Sequence, residues 1–231
     1  MNDFSLHDIF NGEKSRIYTF LNPVSYLNAR REQDIFYQFD GIFADGSLLV
    51  AAVKLLYFRG VKRRSFDMTS VATSLFQFCE KNNKSIYIIA SKGDEVTYAV
   101  EIFKKQYPAL NVIYYRTGYF STQEEIKEEI DNIQKINPDF LIVGMGIVKQ
   151  EMFLQKVKQS GFKGIGFTCG GFISQTYKNK GTLDYYPYWV DKYNIRFLYR
   201  MYKEKHTRVR YFQAAFLFPI LFLKDRFFLN I

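Results

Sequence analysis

Phe140-Leu141-Ile142-Val143-Gly144-Met145-Gly146-Ile147-Val148-Lys149-Gln150-Glu151 runs from a buried-looking strand through two glycines straight into a helix. A helix that opens this way turns unpaired backbone N–H groups, and the positive end of its dipole, toward whatever lies at the strand's carboxyl end. Such a junction is a seat for an anion, usually a phosphate. Gly144 and Gly146 let the backbone come close to a ligand, while Lys149, Gln150 and Glu151 fall in the first helical turn, where side chains point at the same spot.

Working outward, apolar runs that read as strands recur at 16–21, 85–90, 111–115, 140–143 and 164–167. Between them, apolar residues at three- and four-residue intervals predict helices over 23–37, 47–58, 69–81, 94–106, 122–135 and 149–159. This alternation predicts an α/β fold, a mainly parallel sheet flanked by helices in the Rossmann-like manner. Ligands of such sheets sit at the carboxyl ends of the strands. The loops at Asn22-Pro23, Ala90 to Asp94 and Gly144 to Gln150 meet that description.

The composition shifts late. From Trp189 onward the spacing predicts a helix with Trp189, Tyr193 and Phe197 on one side and Arg196 and Arg200 on another. Lys203, Lys205, Arg208 and Arg210 then precede the apolar run Tyr211 to Leu223, which is too short to span a bilayer and is expected to break at Pro219. Basic and aromatic residues side by side predict an interfacial anchor, with docking on the chain's own domain or on a sister subunit as the alternative. The expected organisation is an α/β domain over residues 1–188 and a C-terminal basic and aromatic helical appendage over residues 189–231.

Composition narrows the chemistry. Lysine and arginine exceed aspartate and glutamate by 32 to 23, a net +9, which favours a polyanionic partner such as nucleic acid, anionic lipid or a nucleoside diphosphate. Cys79 and Cys169 lie far apart with no C-x-x-C and no nearby histidine, so neither a disulfide framework nor a zinc site is expected. His7 and His206 adjoin no nucleophile motif, which argues against triad chemistry. No G-x-G-x-x-G follows the first strand, which argues against a dinucleotide oxidoreductase. Residues 1–18 lack the apolar core of a signal peptide.

The segment from Gly144 to Glu151 resembles the G-x-G-x-P-K-Q-E signature of the WecG/TagA/CpsF glycosyltransferases, also called glycosyltransferase family 26. Further elements stand in that family's order: Leu21-Asn22-Pro23, Ala44-Asp45-Gly46, Lys62-Arg63-Arg64-Ser65-Phe66-Asp67, Tyr107-Pro108, Gly118-Tyr119-Phe120, Gly164-Ile165-Gly166, Tyr186-Pro187-Tyr188-Trp189, Leu198-Tyr199-Arg200 and Arg208-Val209-Arg210-Tyr211. The chain departs from the pattern at Phe20, Ala90-Ser91, Val148, Tyr185-Tyr186, Arg196 and Lys205.

The resemblance implies a transferase that moves a sugar, N-acetylmannosamine-type or another hexose derivative, from a UDP-sugar to a polyprenyl-diphosphate-linked saccharide, with inversion and without a metal or other cofactor. It implies Asp45 as general base, a role that spacing alone would assign to a turn or helix cap. The donor would be held by Asn22, Arg64, Gly144, Gly146, Lys149, Gln150 and Glu151, with the tail arginines Arg200, Arg208 and Arg210 closing over the diphosphate. No Asp-x-Asp run is present to hold a divalent ion, so helix N-termini and arginines are expected to steady the leaving group. The expected location is the cytoplasmic face of the cell membrane, with the membrane surface as partner, no nucleic acid, and homo-oligomerisation left open. The alternative is a non-catalytic nucleotide-sugar-binding subunit that serves another transferase; a basic nucleic-acid-binding protein is favoured by charge and aromatic content alone.

Overall fold

Ile86–Ala90 and Phe140–Gly144 are buried residue after residue, which requires strands covered on both faces and therefore a parallel sheet between helical layers. The computed structural model describes residue 1 and residues 4–12, 15–58, 60–179, 185–193 and 195–228. Its strands are β1 (Arg16–Leu21), β2 (Gly41–Ala44), β3 (Ser85–Ala90), β4 (Asn111–Arg116), β5 (Phe140–Gly144) and β6 (Ile165–Thr168). They form one six-stranded sheet in the order β2-β1-β6-β5-β3-β4, with every pairing parallel. All six carboxyl ends therefore open on one edge.

The helices in chain order are α1 (Leu6–Asn11), α2 (Pro23–Ala29), α3 (Gln33–Phe36), α4 (Ser47–Tyr57), α5 (Val71–Lys81) and α6 (Gly93–Gln106). They continue as α7 (Gln123–Ile136), α8 (Lys149–Gln159), α9 (Phe172–Lys178), α10 (Tyr188–Lys192), α11 (Arg196–Lys203) and α12 (Arg208–Phe228). Alternate residues of the strands feed two cores, as the period of two demands. Ile86, Ile88, Phe140 and Ile142 pack with α1, α5, α6 and α9. Tyr87, Ile89, Leu141 and Val143 pack with α7 and α8.

Three local expectations are corrected. The periodic stretch 23–37 is two short helices, because the chain turns after Ala29: the N–H groups of Arg31 and Glu32 both fold back to the Asn28 carbonyl. The stretch from Trp189 is likewise interrupted between α10 and α11, so Trp189, Tyr193 and Phe197 do not form one helical stripe. Pro219 does not break the tail; it lies inside the 21-residue α12. An interior proline costs about 3 kcal/mol. Burying Phe218 and Phe222, 1% and 4% exposed, returns roughly 1.5–3 kcal/mol each, which is enough to carry the helix through.

The inner face of α12 closes a third core made with α2 and α4, from Leu21, Ala29, Phe36, Ala44, Leu49 and Val53. At its far end, Asp225 is buried and takes both 2.8 and 2.9 Å hydrogen bonds from Arg30 Nε together with one from the Tyr26 hydroxyl. Arg226 Nε donates to the Leu56 carbonyl at 3.0 Å. The opposite side of α12 exposes Val209, Phe212, Phe216, Ile220, Leu223 and Phe227. No described helix is long and apolar enough to cross a membrane.

Candidate active site

Asp45 follows β2 directly, and its N–H donates to the Leu21 carbonyl at the end of β1, so the carboxylate is set at the carboxyl edge by the sheet itself. Gly46, at φ +95, turns the chain out into α4; an added Cβ there would lie 4.0 Å from that of Asn22, so the Asn22 and Asp45 turns lean on each other. Asn22 Oδ1 accepts from the N–H groups of Val24 and Ser25, capping α2. Burial, and then the negative charge of Asp67, push the Asp45 carboxyl up to about 6, while Arg63, Arg200 and Arg196 pull the other way. A carboxyl poised there is largely ionised at neutral pH yet more basic than an ordinary aspartate, which is what a general base needs.

The C-terminal helices supply the surroundings of Asp45. Arg200 on α11 lies close to Asp45, Tyr186, Tyr211 and Glu204, whose charges and phenols raise its pKa against the opposing effect of burial. Its Nη2 is 4.0 Å from the place a Cβ on Gly171 would take, which puts the guanidinium beside the glycine turn after β6. The Arg200 Nε is buried with no hydrogen-bond partner among the described residues. Arg196 ties α11 to the loop before α5: Nη1 meets Asp67 at 2.8 Å, Nη2 donates to Thr69 Oγ1 at 2.7 Å, and Nε pairs with Asp191. Its guanidinium lies 4.5 Å over the Tyr186 ring. Burial alone would push Asp67 up, but Arg196, the hydroxyls of Ser65 and Thr69, and Arg63 hold it below the usual carboxylate range.

The signature segment divides its residues between two jobs. Gly144 is packed so tightly that a Cβ would come within 2.6 Å of Cys169 Sγ and 3.0 Å of Ala90 Cβ, so its absence of side chain lets β3, β5 and β6 end together. Gly146, at φ +84, faces open space, and Lys149 is exposed beside it. Gln150 and Glu151 point inward and are 5% and 0% exposed. Gln150 Oε1 accepts from the Gly170 N–H at 3.1 Å and its Nε2 donates to Glu151 at 2.8 Å. Arg64 is buried with its guanidinium 5.6 Å over Phe43 and its N–H on the Ala44 carbonyl, whereas Arg63 is one of the larger positive influences on Asp45.

Arg208 and Arg210 stand exposed at the start of α12, and Arg208 Nε donates to the Met201 carbonyl at 2.8 Å. The structure therefore brings Asn22, Asp45, Gly146 and Arg200 to one edge, with Lys149 at the surface. It adds Asp67, Tyr186, Arg196 and Tyr211, which sequence reasoning did not assign to the site, and Arg63, the neighbour of Arg64 onto which the family match can slip by one. The run of charge from Lys62 to Asp67, the aromatic pair Tyr185-Tyr186, the Arg196 and Arg200 spacing and the Arg208 to Tyr211 element contained them without marking their place. Among the described residues no three His, Cys, Asp or Glu side chains group to hold a metal ion.

Comparison with known proteins covers nearly the whole chain. The model of the glycosyl transferase WecG/TagA/CpsF family matches residues 4–230. A UDP-Gal:alpha-D-GlcNAc-diphosphoundecaprenol beta-1,4-galactosyltransferase of Shigella boydii is 34% identical over 215 residues, 93% of this chain and 89% of that protein. An N-acetylglucosaminyldiphosphoundecaprenol N-acetyl-beta-D-mannosaminyltransferase of Bacillus subtilis (strain 168) is 24% identical over 131 residues, 57% of this chain and 49% of that protein. A protein of the same name from Staphylococcus aureus (strain NCTC 8325 / PS 47) is 24% identical over 119 residues, 52% of this chain and 44% of that protein.

Proposed function

The chain belongs to the WecG/TagA/CpsF glycosyl transferase family and is a glycosyltransferase, and on that premise we propose that it transfers galactose from UDP-galactose to N-acetylglucosamine carried on a polyprenyl diphosphate. Galactose is favoured over N-acetylmannosamine because the likeness to the galactosyltransferase runs the length of both chains, while the likeness to the mannosaminyltransferases stops near half of theirs. The observation that carries the reading is Asp45, a carboxyl pushed up to about 6 at the carboxyl edge of a parallel sheet and faced by arginines.

Asp45 takes the proton of the acceptor hydroxyl as that oxygen attacks the anomeric carbon. The bond to the diphosphate breaks on the opposite side, which inverts the centre. Negative charge grows on the departing UDP, and Arg200, with Arg63 and Arg196 behind it, neutralises it without a divalent ion. A fixed positive group in a site partly screened from water does this with little reorganisation. The outward apolar side of α12, with Lys203, Lys205, Arg208 and Arg210 near its start, lies on an anionic membrane and brings Asp45 to a lipid-borne acceptor.

The test is a thermal-shift and turnover screen of the purified chain. UDP and UDP-galactose should raise the melting temperature by mass action, and UDP-galactose should be consumed with a polyprenyl-diphosphate N-acetylglucosamine acceptor in the presence of EDTA. Turnover of UDP-N-acetylmannosamine in preference would reassign the donor. A strict requirement for added divalent metal would overturn the arginine account.

A further inference from the structure

We propose that Glu151 is a positioning residue: from inside the protein its carboxylate fixes the Gly146–Val148 turn, and through Gln150 the Gly170 turn, in register for the donor's diphosphate. This deepens the nucleotide-sugar reading and rests on it.

Four polar side chains from three elements meet where no water reaches. Thr19 on β1, Thr168 on β6, and Gln150 and Glu151 on α8 are 0%, 1%, 5% and 0% exposed. Thr19 Oγ1 donates to Glu151 Oε1 at 2.9 Å, Gln150 Nε2 donates to the same oxygen at 2.8 Å, and the Val148 N–H donates to Oε2 at 2.6 Å. A threonine hydroxyl has one proton, and that of Thr19 is committed to Glu151, so Thr168 is the donor in the 2.8 Å contact between the two threonines. Every group aimed at Glu151 is a donor. Those bonds favour the ionised carboxylate, while burial, the larger influence, pushes the group up.

The arrangement acts on backbone that would not hold its shape alone. Val148 stands at φ +72 and ψ −48, a region where a β-branched residue is an outlier. Such strain persists only when the surroundings over-determine it. The bond from the Val148 N–H to Glu151 is that constraint. On the other side Gln150 Oε1 fixes the Gly170 N–H at 3.1 Å, where Gly170 itself sits at φ +55 with open space around it. The two turns follow neighbouring strands, β5 and β6, and the Arg200 guanidinium lies beside the second of them. One carboxylate thus couples both turns, and it does so without facing the ligand.

Glu151→Gln tests the claim because it preserves shape while placing an NH2 group among donors. Flipping Gln150 to relieve the clash would turn its own NH2 toward the Gly170 N–H. In the free protein the amide resonances of Val148 and Gly170 should both move in Glu151→Gln, and the dissociation constant for UDP should rise at least tenfold. Thr19→Val and Thr19→Ser form a milder pair: Thr19→Ser keeps the hydroxyl and should bind UDP several-fold more tightly than Thr19→Val. Unchanged Val148 and Gly170 resonances with UDP affinity within twofold of the parent would overturn the proposal. If Glu151→Gln does not fold, equal UDP affinity in the two Thr19 variants overturns it. A parent chain that binds no UDP defeats the nucleotide-sugar reading, and the resonances then show separately whether Glu151 couples the turns.

Discussion

Asp45 carries opposite demands that can be separated by pH. Its carboxyl is pushed up to about 6 from an ordinary value of 3.8, so the folded chain binds that proton more tightly than the unfolded chain does. The contribution to stability is therefore full at low pH and is lost as pH rises from about 4 to about 6, amounting to about 3 kcal/mol at most. The charged groups that set it are Asp67 on one side and Arg63, Arg196 and Arg200 on the other. Asp45→Asn should consequently melt higher than the parent at pH 8 and equally at pH 4, while losing transfer by 100-fold or more and keeping its affinity for UDP. The parent's kcat/KM should fall below about pH 6. Near-parent turnover by the Asp45→Asn protein would remove Asp45 from the base role.

At the scale of elements, α11 and α12 join the carboxyl edge of the sheet to an apolar outer surface. The side of α12 carrying Ala214, Phe218, Phe222 and Asp225 is buried, so cutting the tail away would uncover Leu49, Val53 and Phe36 and unsettle the core itself. Substitution on the outward side separates the roles: Phe216→Ser with Ile220→Ser should abolish co-sedimentation with anionic liposomes and leave the melting temperature unchanged. Retained sedimentation would place the anchor elsewhere. Arg196→Ala should loosen α10 and α11 from the Asp67 loop, seen as faster hydrogen exchange over 188–203, and should lower kcat more than it raises KM for the donor; unchanged exchange would show that the clasp is redundant. Five of the six strands, all but β2, and the helices from 47 to 159 were legible because their apolar periods are uninterrupted. The breaks after Ala29 and after Lys192 were not, since the apolar spacing runs through both: the first is a turn onto the Asn28 carbonyl, and the second leads into α11, where Arg196 reaches Asp67 129 residues away. That Asp45 and Arg200 would lie near each other was legible through resemblance to a family. The inward turn of Gln150 and Glu151 was not, because buried partners such as Thr19 lie 132 residues away from Glu151.

Across the whole molecule, the sheet places its earliest strand between β2 and β6, so the strand made first is flanked on one side by the strand made last. Pairings of such sequence separation form slowly relative to local ones. The tail extends the same logic, since Asp225 near the end of the chain is gripped by Arg30 and Tyr26 near its beginning. Order of synthesis then becomes order of assembly. Until α12 has emerged and settled on α2, Arg200 lacks the Tyr211 hydroxyl that α12 brings beside it. A nascent chain stalled with α12 still in the exit tunnel should therefore show no UDP-dependent protection from protease, and one stalled after α12 has emerged should gain it.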